Sequence, residues 1–118
     1  MPHVSICIPT YNSAAVAGDA LTSALAQADH DAEILVLDNC STDDIARVVR
    51  AAGGSDARVR YVRHATNIGM ARNFSACISL AKGEYVQILC ADDVLERGCT
   101  AALAEALSRH PDCVLAAC

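Results

Sequence analysis

The sequence predicts an α/β fold, a mainly parallel sheet with helices on both faces. Strand-favouring apolar runs alternate with segments of helical period along the chain. Some of those runs are continuously apolar, as strands covered on both faces are. Glycine, proline or short polar residues punctuate the changes of period. With 118 residues the chain makes one domain, 1–118, large enough to bury a core. It is 53% apolar but only 3% aromatic, so that core must be built from Val, Ile, Leu and alanine.

Val4-Ser5-Ile6-Cys7-Ile8 reads as a short strand closed by Pro9, which cannot donate to a central ladder. Thr10-Tyr11-Asn12-Ser13 supplies a turn and a helix cap. Val16, Leu21, Leu25 and Ala28 then follow at roughly helical spacing, to about Ala28. Glu33 to Leu37 is a second strand that stops at Asp38-Asn39. Ser41-Thr42-Asp43-Asp44 resembles a capping box for a helix carrying Ile45, Val48, Val49 and Ala52, and Gly53-Gly54 ends that helix. Val59 to Arg63 mixes charge with β-branched residues, as an edge strand does. Ala71, Phe74, Ile78 and Ala81 mark one face of a third helix, with Gly83 as its stop. A fourth strand follows, with Ile88-Leu89-Cys90 as its buried end, and it runs into Asp92-Asp93. The last helix turns Cys99, Leu103, Ala106 and Leu107 inward, and apolar Cys113 to Cys118 predicts a fifth strand. The order βαβαβαβαβ implies the parallel sheet. Ending in an apolar strand, the chain is expected to be the front part of a longer protein.

The net charge of −5 argues against nucleic acid or an anionic membrane as an electrostatic partner. No apolar run approaches the length of a bilayer span, and Met1-Pro2-His3 lacks a cationic leader start, so a cytoplasmic location is expected. The seven cysteines are odd in number and contain no C-x-x-C, which predicts reduced cysteines acting as small hydrophobes. His3, His30, His64 and His110 show no paired spacing with them, so no zinc site is expected.

Three predicted strands end in polar residues: Pro9-Thr10-Tyr11-Asn12, Asp38-Asn39 and Asp92-Asp93. In a parallel sheet these ends share one edge, where open α/β sheets hold their ligands. Together they offer a flat ring, amide and carboxylate groups, and a carboxylate pair suited to Mg²⁺ or Mn²⁺. A ring, a sugar and a metal-bridged diphosphate would satisfy that set. Ordinary structural roles stand beside this one: Tyr11 as packing, Asn12 as a helix cap, Asp38-Asn39 as a turn, Asp92 or Asp93 as a cap. Neither a dinucleotide fingerprint nor a Walker loop is present.

Four stretches in register then resemble family 2 glycosyltransferases of the GT-A fold, whose nucleotide-binding half is Rossmann-like. They are Val4 to Asn12; Glu33 to Asp43; Asn67-Ile68-Gly69 with Ala71-Arg72-Asn73; and Ala81 to Tyr85 running to Ala91-Asp92-Asp93. The resemblance implies a transferase that uses a nucleotide-diphosphate sugar, a UDP-sugar first among them, and Mn²⁺ or Mg²⁺. A glycan or lipid-linked acceptor is implied, and a place at the inner face of the membrane for the full-length protein. Pro9, Thr10, Tyr11 and Asn12 would line the nucleotide, with Pro9 and Tyr11 against the base and Asp38 or Asn39 on its edge. Arg72 and Asn73 would line the donor site, Asp92 would meet the ribose or the metal, and Asp93 would be the main metal ligand. Cys90 departs from relatives that carry an acid there. The general base of such enzymes lies in an acceptor-binding half to which nothing here corresponds, so these 118 residues are expected to bind donor without efficient transfer. Two alternatives are a non-catalytic nucleotide-sugar-binding or interaction module and a receiver-type signalling domain. Against the latter, Pro9-Thr10 stands where an acid pair is expected.

Overall fold

The computed structural model describes residues 3–27 and 31–117. Four strands, β1 (Val4–Thr10), β2 (Ala32–Asp38), β3 (Val59–Arg63) and β4 (Tyr85–Ile88), pair in the order β3-β2-β1-β4, every pair parallel. Helices α1 (Ala14–Leu25), α2 (Ile45–Gly53), α3 (Met70–Leu80) and α4 (Cys99–Arg109) follow the strands in turn. Ala28 and Cys118, the expected ends of the first helix and of a fifth strand, lie outside the described residues.

β1 and β2 are buried at every position because both of their faces are covered. Val4, Ile6, Ile8, Ile34 and Val36 meet Ala20 and Leu21 of α1, Val49 of α2 and Ala104 of α4. The alternate residues Cys7, Leu35 and Leu37 meet Cys77 of α3. Helices therefore cover both faces, as the sequence order implies. None of the six described cysteines is in a disulfide.

Several local expectations change. β1 continues through Pro9 to Thr10, with Pro9 opposite Leu37. The His3 carbonyl accepts from the Tyr85 N–H of β4 and the Cys7 carbonyl from the Leu89 N–H just past it, so by the period-2 alternation Pro9 also faces that side. The β1–β4 register has ended by then, at Cys7 opposite Ile88, and the missing N–H costs no ladder bond. On α3 the buried residues are Asn73 and Cys77, while Ile78 is 60% exposed, because a polar side chain takes the place on the inner face. On α4 they are Thr100 and Ala104, and Ala106 is exposed. Ile88 is 37% exposed, since β4 has a neighbour on one side only among the described residues. Residues 113–117 form no strand: nothing pairs with their backbone in a ladder, and Val114 is 97% exposed.

α3 ends at Leu80, before Gly83, whose role is close approach to β1. Its N–H donates to the Ser5 hydroxyl (2.8 Å), which in turn donates to Glu33 (2.8 Å). Glu33 also accepts from the Lys82 N–H (3.0 Å) and pairs with Arg60 (3.2 Å), satisfying a carboxylate that is nearly buried. A Cβ on Gly83 would sit 2.5 Å from the Ser5 nitrogen and 2.8 Å from the Val4 carbonyl carbon. Gly83→Ala must push β1 away from this connection, and a loss of about 1–3 kcal/mol is expected in denaturant unfolding. An unchanged midpoint would show that the approach is not required.

Candidate functional site

The strand order reverses at β1, which has β2 on one side and β4 on the other. Such a switch point opens a crevice outside the carboxyl ends of the strands. A cleft of about 610 Å³ lies there. The end of β1 contributes Pro9 and Thr10, and the residues just past β1 and β2 contribute Tyr11 and Asn39. The turn after β4 adds Cys90, Ala91 and Asp92, and the start of α3 closes the far wall with Gly69, Met70, Asn73 and Phe74. Tyr11 keeps half of its surface free, an aromatic face open to a planar ligand. The Thr10 hydroxyl is buried without a partner among the described residues.

Asp38 and Asn39 part company. Successive strand residues point to opposite faces, so with Leu35 and Leu37 on the α3 side Asn39 follows them into the cleft. Asp38 turns to the α2 side and is fully buried. One of its oxygens accepts from the Ser41 N–H (2.9 Å) and the Ser41 hydroxyl (2.5 Å). The other accepts from the Tyr61 hydroxyl (2.6 Å) and from Arg63 (3.0 Å), which also reaches the Ser41 carbonyl (2.9 Å). Burial alone would raise this carboxyl, but the bonds from Ser41 and Tyr61 and the Arg63 charge outweigh it and hold it below the usual range. Burial and the same hydrogen bond push the Tyr61 phenol up to about 12. With four bonds accepted, the Asp38 carboxylate is engaged inside the protein.

Asn39 donates to the Asn67 side chain (3.0 Å) and accepts from the Ile68 N–H (2.8 Å). One N–H and one lone pair remain for a ligand. Asn12 lies outside the cleft wall and laces two turns together. Its N–H donates to the Ser41 hydroxyl (2.9 Å) and its side-chain oxygen accepts from the Thr42 N–H (2.8 Å). Its φ of 49° and that of Cys40, 61°, place a left-handed residue at the same point after β1 and after β2. Neither Asn12 nor Ser13 caps α1 with its side chain: Ser13, at the N-cap position, donates to the Tyr11 carbonyl, and Asp43 caps both helices, accepting from Ala14 (2.8 Å) and Ile45 (3.3 Å). Arg72 is exposed and outside the cleft wall, whereas Asn73 is in it and buried.

Asp92 lines the cleft, but Asp93 lines a neighbouring cavity of about 480 Å³ between β4 and α4, with Cys90 on the wall of both. Desolvation, then the charges of Asp93 and Asp92, push the Cys90 thiol up. No group of three or more His, Cys, Asp or Glu converges among the described residues. One cleft carboxylate with a second beside it does not make a cage for a resident ion. It fits a hard divalent ion that brings phosphate oxygens and water as its remaining ligands. Of the cleft residues not expected at the site, Asn67 and Gly69 stand in a stretch that carries the family resemblance, while Met70, Phe74 and Ala91 carry no polar signal.

A family model described as Glycosyl transferase family 2 matches residues 5–118. The chain is 35% identical to the Salmonella typhimurium abequosyltransferase RfbV over 115 residues, covering 95% of this chain and 34% of that protein. It is 38% identical to a chondroitin synthase of Pasteurella multocida over 96 residues, 81% of this chain and 10% of that one. Its fold is similar to S. aureus TarS 1-349 in complex with UDP-GlcNAc (TM-score 0.83, 25% identity, 92% of this chain and 32% of that one). It is also similar to the Pyrobaculum calidifontis mannosyltransferase PcManGT in complex with GDP-Man and Mn²⁺ (TM-score 0.82, 27% identity, 91% of this chain and 32% of that one). The chain thus spans between 10% and 34% of the length of these relatives.

The Asp38 cluster makes its own prediction. Asp38→Asn turns an amide toward the Tyr61 and Arg63 donors, and a loss of about 2–3 kcal/mol is expected, the scale of a charge-assisted buried bond. Because the folded carboxyl lies below its unfolded value of about 3.9, its contribution is complete above that pH and disappears as pH falls through the folded value. Unfolding of the Asn variant should lack that acid-side slope. Parallel pH–stability curves for the two proteins would refute the assignment.

Proposed function

The chain belongs to glycosyl transferase family 2, and on that premise we propose that residues 1–118 are the nucleotide-sugar-binding part of a metal-dependent glycosyltransferase. The observation that carries this is the cleft at the switch point, where a half-exposed tyrosine ring, a partly engaged asparagine amide and one carboxylate come together. Tyr11, with Pro9, offers the base a flat face. Asn39 bonds the base edge through its remaining N–H and lone pair, in place of the engaged Asp38. Asp92 faces the ribose and diphosphate end.

Asp92, with Asp93 adjoining, would hold Mn²⁺ or Mg²⁺. Bound there with the donor, such an ion supplies Lewis-acid neutralisation of charge on the departing diphosphate. Asp92 itself contributes a fixed negative charge whose interaction with a diphosphate is repulsive without a cation, so donor and ion are expected to bind together. The donor is a nucleotide-diphosphate sugar, with UDP-sugars first. The acceptor is a glycan or lipid-linked hydroxyl held by parts of the protein beyond these residues, with the reaction on the cytoplasmic side. No helix among the described residues is long and apolar enough to cross a membrane. Against the receiver-type alternative stands the family match over nearly the whole chain.

Calorimetric titration with UDP, GDP and dTDP, with and without Mn²⁺, tests this reading. Metal-dependent binding of one of them is expected. Asp92→Ala should weaken it at least about tenfold, the worth of one charge-assisted contact, and Asp93→Ala should weaken it less. Binding indifferent to both Mn²⁺ and Asp92 would remove the metal from the reading.

A further inference from the structure

Asn73 is 3% exposed, stands in the wall of the cleft, and makes two side-chain bonds that fix its amide completely. Its nitrogen donates to the Leu37 carbonyl at the end of β2 (3.2 Å). A carbonyl can only accept, so that bond decides which end of the amide is nitrogen. The Asn73 oxygen is then the atom 2.9 Å from Nε2 of His64, and His64 must carry its proton on Nε2 to donate there. His64 follows β3 directly, and its own backbone N–H donates to the Asp38 carbonyl (2.9 Å). Its ring therefore reaches from the sheet edge to the first turn of α3.

We propose that His64 is a positioning residue for the cleft. It acts through Asn73, holding the amide so that one N–H remains for the ligand and the first turn of α3 stays against β2. This rests on the reading of the cleft as a nucleotide-diphosphate site, and it assigns a role to a side chain outside the cleft wall. With His64 removed, the Asn73 oxygen loses its donor in a buried setting, and the amide is free to turn or to draw in water. The wall of the cleft then loses a defined donor although no residue lining it has been changed. Gly69 (φ 85°) stands just before α3, and its carbonyl accepts from the Asn73 N–H (3.0 Å).

Four variants of the whole chain, His64→Leu, His64→Gln, Asn73→Ala and the double variant His64→Leu/Asn73→Ala, separate this role from a general one in stability. With the tightest of UDP, GDP or dTDP in the presence of Mn²⁺, His64→Leu should weaken binding about fivefold, one net hydrogen bond. His64→Gln, which keeps a donor, should restore most of it. The double variant should bind no more weakly than Asn73→Ala alone, because His64 has no other route to the ligand. The side-chain amide signals of Asn73, read by ¹⁵N NMR without any nucleotide, should move in His64→Leu and return toward wild type in His64→Gln. Additive binding losses, or Asn73 amide signals unmoved in His64→Leu, would overturn the proposal. Should wild type bind none of the three nucleotides, the reading of the cleft fails, while the NMR comparison still decides whether His64 sets the Asn73 amide.

Discussion

A β-strand cannot turn two successive side chains to the same face, and that constraint organises the whole carboxyl edge of this sheet. β1 and β2 are covered on both sides, so each residue at their ends is assigned to one helical layer or the other. Asn39 goes to the α3 layer and the cleft, and Asp38 goes to the α2 layer and a set of internal donors. The pair divides its labour: one residue lines the cleft and its neighbour builds the support. Lining both up on the cleft would leave the Tyr61 hydroxyl, the Arg63 guanidinium and Ser41 without their common acceptor.

That support is continuous with the turns. Ser41 accepts from Asn12, Thr42 donates to Asn12, and Asp43 caps α1 and α2 together. The turn after β1 is thus held by the turn after β2, and Tyr11 is placed at the cleft by residues some thirty positions further along the chain. On the other wall Asn39 holds Asn67 and Ile68, and Asn73 holds β2 and His64. Polar side chains tie the elements of the cleft together, and apolar Met70 and Phe74 complete its wall.

Much of the architecture was legible because strands buried on both faces write themselves as unbroken apolar runs, and Ile34 to Leu37 is one. The polar strand ends were legible for the same reason, as interruptions of those runs. Helix faces were less so. α3 puts Asn73 inward and Ile78 outward, the reverse of what hydropathy suggests, because the Leu37 carbonyl and His64 satisfy the amide. The strand through Pro9 was hidden because its length depends on where β4 stops. The separation of Asp92 from Asp93 into two cavities depends on how the turn after β4 coils, which the residue types do not specify.

The division between Asp38 and Asn39 is open to direct test. A crystal structure of the chain soaked with UDP and Mn²⁺ would decide it. The uracil edge is expected on the Asn39 amide and the ring against Tyr11, with the Asp38 carboxylate still bound to Ser41, Tyr61 and Arg63. A uracil edge bonded to Asp38, with the Tyr61 and Arg63 bonds broken to admit it, would contradict it.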